Sequence, residues 1–188
     1  MPGKVVSKKE RTPGPPAGGE MNVYFKDGPI APIEDNTEYV NAGAVTFGVE
    51  FRFLNKMDAR RRMTGEVKDL GICIHVFADG TEKTHERLRF DCFQIKPHYH
   101  YINFAERRNE RLHLDTAACG DSYQWMMDCL RNRLPAMLIE AGDPEAARKV
   151  DQREVEAALP KVDAWARALA QRAQTNWEGT MSLSGDIA

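Results

Sequence analysis

The hydrophobic period of this chain changes once, and that change limits what it can fold into. Up to about residue 115 apolar residues alternate with polar ones; beyond it they recur every three or four positions. In Val45-Thr46-Phe47-Gly48-Val49-Glu50-Phe51-Arg52-Phe53 every odd position is apolar and every even one small, polar or charged. Strand side chains alternate between faces, so this run predicts a strand with one face in a core. Strands that all precede the helices argue against a doubly wound nucleotide fold, and the chain has no Gly-rich phosphate loop. The predicted class is α+β. An antiparallel sheet of about five strands spans residues ~40–116, with C-terminal helices over ~121–177 packed on one face.

Further strands are expected over Leu70 to Phe77, Arg87 to Phe93, His98 to Phe104 and, briefly, Arg111 to Asp115. Asn55 and Gly65 read as turns bounding a charged crossing that holds Arg60, Arg61 and Arg62. At Asp79-Gly80 the better apolar match comes from a wide loop that pairs Ile74 with Leu88 and Ile72 with Phe90. That register gathers His75, Arg87, Arg89 and Asp91 on the opposite face. Two registers stand open for the last hairpin. One sets His100 against Asp115 and Ile102 against His113; the other sets Ile102 against Leu114 and Phe104 against Leu112, the better apolar match.

The helical stripe Tyr123, Met126, Met127, Leu130, Leu134, Met137 and Leu138 begins at a capping box, Asp121 with Gln124, and ends at Gly142. Pro135 is expected to kink or split it. Asp143-Pro144-Glu145 opens a second helix, whose stripe from Val155 to Ala173 runs to about Trp177 with a break at Pro160. Residues 1–20, rich in Pro, Gly and Lys, form an arm that is flexible or ordered by a partner. A single domain then covers 21–178, opening with an extended lead-in and an edge strand, and residues 179–188 form a frayed tail.

Function is less constrained. A net charge of -2 argues against binding nucleic acid through phosphates. No apolar run reaches bilayer length, and the four cysteines lack CxxC spacing, so the expected setting is the reducing cytoplasm, away from membranes. The sharpest chemical motif is Pro97-His98-Tyr99-His100-Tyr101. His98 and His100 share one face of a strand and together suit a divalent transition metal: zinc, iron, manganese or nickel. A third donor is needed, and His75, Asp91, His113 and Asp115 are available. Asp91 and His75 are the candidate catalytic pair, as ligand or general base. Arg87 and Arg89, with their guanidinium forks, and Tyr99 and Tyr101, as exposed aromatics, are the candidate ligand-binding residues. Cys119 precedes a helix start but reads better as a small buried residue, and Trp125 flanks the helical stripe as a candidate interface residue.

Two readings follow. In the first, the chain is an intracellular binding, accessory or assembly module that docks through its arm onto a protein partner or a second copy. In the second, it is a small metal-dependent, hydrolase-like enzyme built on His98 and His100.

Overall fold

A computed structural model describes residues 22–23, 31–57 and 63–184. The N-terminal arm of residues 1–20 and the run Arg60-Arg61-Arg62 lie outside the described residues. The architecture is α+β, as the change of period predicts. Strands β2 (Glu38–Ala42), β3 (Val45–Met57), β4 (Met63–Ala78), β5 (Glu86–Phe93), β6 (His98–Asn103) and β7 (Arg108–His113) follow one another as an antiparallel meander. The two-residue β1 (Asn22–Val23) pairs with β7 and closes the other edge. Five α-helices follow among the described residues: α1 (Thr116–Cys119), α2 (Ser122–Asn132), α3 (Leu134–Glu140), α4 (Pro144–Lys149) and α5 (Gln152–Ser184). Among the described residues no helix is long and apolar enough to cross a membrane.

The apolar positions of the alternating strands carry the core. Phe47, Val49, Ile72, Ile74, Val76, Leu88 and Phe90 are buried against Met126, Leu130, Leu134, Leu138, Val155, Leu159 and Val162 of the helices. Burying each such side chain contributes about 1.5–3 kcal/mol. The methionines of α2 and α3 are thus core residues. Local chemistry sets the helix ends where the sequence places them. The Asp121 carboxylate accepts from Gln124 N at 2.8 Å to start α2, and Asp143 accepts from Ala146 N at 2.9 Å to start α4. Pro135 does split the first stripe, sitting in the opening turn of α3, where its missing N–H costs nothing.

Several expectations are corrected. Strands β3 and β4 run through Asn55 and Gly65, with register shifts between Leu54 and Met57 absorbing the irregularity. The second helical stripe breaks at Val150, which is extended, and Pro160 lies inside a continuous α5. Pro160 removes one hydrogen bond, but Val155, Leu159, Val162 and Ala166 on both sides of it remain buried and keep α5 docked. Helix α5 continues past Gly179 to Ser184. The loop after Asp79-Gly80 is wide, as expected, yet Ile74 pairs with Phe90 and Ile72 with Cys92, two residues from the predicted register. Neither register considered for the last hairpin occurs. A four-residue turn, with Arg107 at φ 53°, sets Asn103 against Arg108, His100 against Arg111 and His98 against His113.

Close strand approach at Gly71 gives one prediction. A Cβ there would meet the Cys92 carbonyl oxygen and lie 2.8 Å from Phe93 Cα, both backbone atoms of β5. Gly71→Ala is therefore expected to cost about 1–3 kcal/mol of stability, read as a lower urea midpoint. An unchanged midpoint would show that β4 and β5 can separate there without loss.

Candidate metal centre

The second face of the sheet is polar and nevertheless buried. Glu50 and Arg52 of β3, His75 of β4, Glu86, Arg89 and Asp91 of β5, and His98 and His100 of β6 are all shielded from solvent. These are the even positions of β3 and their partners across the ladder. Buried charge persists only when it is paired. Here the pairing runs across four strands.

A β-bulge builds the first half. Val76 pairs with Leu88, but Phe77 pairs with Glu86, so β5 carries one extra residue at this point. The bulge turns Glu86 onto the polar face and sends Arg87 to the helix side. The expectation that Arg87 joins His75 is thereby corrected; its Nε donates instead to Asp143 Oδ2 at 2.6 Å, beside the start of α4. In its place Glu86 takes two hydrogen bonds from Arg89, Nε to Oε1 and Nη2 to Oε2, each 2.8 Å. His75 lies between carboxylates, with Nδ1 2.6 Å from Glu86 Oε1 and Nε2 3.0 Å from Glu50 Oε1. Both contacts are hydrogen bonds when the ring carries two protons. Glu50 also pairs with Arg52 and accepts from Ile33 N at 2.9 Å and Thr37 Oγ1 at 3.1 Å. Burial alone would raise the Glu50 carboxyl, but the His75 hydrogen bond, the charges of His75 and Arg52, and the Ile33 N–H together lower it to about 2.

The second half is the motif Asp91, His98 and His100. His98 Nε2 lies 3.1 Å and His100 Nε2 3.2 Å from the same oxygen, Asp91 Oδ2. The donor atoms of the three residues lie within 4.8 Å of one another. The other ring nitrogens are committed elsewhere. His98 Nδ1 contacts the Lys96 carbonyl at 2.7 Å, and His100 Nδ1 contacts Asn109 Oδ1 at 2.8 Å. A carbonyl oxygen only accepts, so Nδ1 donates in each case, and the Nε2 atom of each ring is turned toward Asp91. Asp69 holds this arrangement from below, accepting from Ile95 N at 3.1 Å and Lys96 N at 2.9 Å and so fixing the loop that supplies the Lys96 carbonyl. Asp91 Oδ1 accepts from the Cys73 thiol at 2.8 Å. Against the penalty of burial, the hydrogen bonds from His100 and His98 and the charge of Arg89 keep the Asp91 carboxyl well below its usual range. Burial, with Asp91 beside it, pushes the Cys73 thiol up.

A family described as a domain of unknown function (DUF7700) matches residues 39–166, more than half of the chain. The chain belongs to this family. The DUF7700 span contains all of Glu50, Cys73, His75, Glu86, Arg89, Asp91, His98 and His100, while Ile33 and Thr37, which donate to Glu50, precede it. No curated protein and no solved structure matches.

Within the DUF7700 domain the sequence-derived candidates divide between the two faces. His75, Arg89, Asp91, His98 and His100 come together on the polar face. Tyr99 and Tyr101 alternate away from it and pack half-buried against the helix-side core, with Trp125 5.2 Å from Tyr99 between ring centroids. Trp125 therefore belongs to the helix–sheet junction. His113 is brought beside His98, ring centroids 5.5 Å apart, by the tight last turn, and Asp115 caps α1. Cys119 is exposed at the end of α1, against the expectation of a buried thiol. Glu50, Cys73, Glu86, Asp69 and Asn109 were not anticipated. The available signal was complementary charge at the non-core positions of three successive strands.

A second grouping of donors, Glu50, Cys73 and His75, also lies within 4.8 Å. It suits a metal poorly. Glu50 is already matched by Arg52 and His75, and a divalent cation there would face a guanidinium group at close range.

Proposed function

We propose that this domain binds one divalent transition metal through Asp91, His98 and His100. The observation that supports it is the orientation of the two imidazoles. Their Nδ1–H groups are anchored outward, so two Nε2 atoms and one carboxylate oxygen converge where a single cation could take all three as ligands. A cation bound there would take the place of the Nε2 protons that otherwise link the two rings to Asp91, and the anchored Nδ1–H is the customary outer partner of a metal-bound histidine. Two imidazoles and one carboxylate suit zinc, iron, manganese or nickel.

Three protein donors leave coordination positions open, whereas structural zinc sites close with four. That favours a metal-dependent enzyme over a structural staple, with the ion polarising a bound oxygen or activating water in hydrolase-like chemistry. Elemental analysis of the purified protein, after incubation with each of the four metals, is the test. About one equivalent should bind, and His98→Ala, His100→Ala and Asp91→Asn should each weaken binding at least tenfold while retaining the wild-type circular dichroism. Metal-free wild type, or variants that bind as well as it does, would remove the proposal and leave the binding-module reading.

A further inference from the structure

We infer that the ligand of this centre is a small oxyanion, carboxylate or phosphate in kind, held by Arg111 beside the ion. The inference rests on the metal reading for its second point of attachment. Arg111 of β7 stands directly across from His100, and His113 directly across from His98. Facing residues on adjacent strands share a side of the sheet with their Cβ atoms about 5 Å apart, so Arg111 projects from the same face as the three donors.

Its guanidinium is conspicuous for what it does not touch. Arg52 pairs with Glu50, Arg87 with Asp143, Arg89 with Glu86 and Arg108 with Glu110. Arg111 is half-buried, its Nε is shut off from solvent, and its side chain makes no hydrogen bond or ion pair among the described residues. A buried donor without an acceptor is costly, and such groups are uncommon in native proteins unless something completes them. The nearby carboxylates are committed. Asp91 serves the two histidines and Cys73, and Glu110 alternates to the other face with Arg108.

An ion with open positions and an unmatched guanidinium are two positive groups on one face. One oxyanion satisfies both, placing one oxygen on the ion and others on the planar fork. A cationic ligand would be repelled by the pair. His113, exposed at the edge beside His98, marks the open side of the centre.

Calorimetric titration of the full chain with inorganic phosphate and, separately, with oxalate distinguishes the two sources, using metal-loaded and chelator-treated protein. The metal-loaded protein should bind one of these anions. Arg111→Gln should weaken that binding about tenfold or more with its metal content unchanged, and Arg111→Lys should restore it only in part, because an ammonium group lacks the fork. Wild-type affinity in Arg111→Gln, or no binding of either anion to wild type, overturns the inference. Should the protein take up no metal, the metal reading falls on its own. Arg111-dependent binding of phosphate or oxalate to the metal-free protein would then still uphold the anion site, and its absence would overturn it.

Discussion

Replacing Glu86 with alanine is expected to destabilise the protein by about 3–5 kcal/mol, the usual cost of removing one partner from a buried ion pair. Glu86 is fully shielded and accepts both arms of the Arg89 fork as well as His75. Without it, the guanidinium keeps its desolvation penalty and loses its bidentate acceptor, while the imidazole loses one of its two carboxylates. Urea unfolding at neutral pH should show a large drop in midpoint. Glu86→Gln, which keeps the volume and one acceptor oxygen, should lie between wild type and the alanine variant. A loss below about 1 kcal/mol for alanine, the range of a solvated surface pair, would mean that water reaches this face and that the network is not a buried one.

How much of this was legible in the sequence depends on whether each signal is local. The alternation of Val45 to Phe53, the caps at Asp121 and Asp143, and the split at Pro135 are decided by neighbouring residues, and the structure bears them out. The strand placement of His98 and His100 was readable for the same reason. The bulge that exchanges Arg87 for Glu86 was not, because a one-residue slip leaves no mark in composition. Apolar matching also misled in the last hairpin. Ile102 is fully buried, yet it faces Asn109, and that displacement is what brings His113 beside His98 and Arg111 beside His100. Nor does alternation tell a solvated face from one buried with its charges paired. Both read as polar.

The chemistry of that face bears on why it is charged at all. Well-packed hydrocarbon in place of a buried ion network is often neutral or stabilising. Net stability alone therefore does not account for charge at Glu50, Arg52, His75, Glu86 and Arg89. Their order across the sheet suggests another role. Arg89 and Cys73 flank Asp91, and Asp69 fixes the loop behind His98, so the metal ligands proposed here rest on partners whose own positions are fixed. Such partners are what hold a three-donor centre open and in shape.

Acid should dismantle the same network, in a defined window. Burial raises the Glu50 carboxyl, but His75, Arg52 and the Ile33 N–H outweigh it and hold the group at about 2, below its ordinary 4.5. Glu86 is likewise lowered, the charge of Arg89 and the His75 hydrogen bond overcoming burial. A carboxyl held low in the folded state stabilises that state above its unfolded value, and the benefit is lost as pH falls from there through the folded value. Stability of the chelator-treated protein should thus fall steeply between about pH 4.5 and 2, with Glu50 alone accounting for something on the order of 3 kcal/mol. Glu50→Gln should start from a lower plateau, decline less over that window, and converge on wild type at its acid end. Urea midpoints measured at intervals from pH 7 to pH 2.5 test this directly. Parallel curves for the two proteins would mean that the Glu50 carboxylate is no better held in the fold than in the unfolded chain, and that His75 does not bridge the two acids as described.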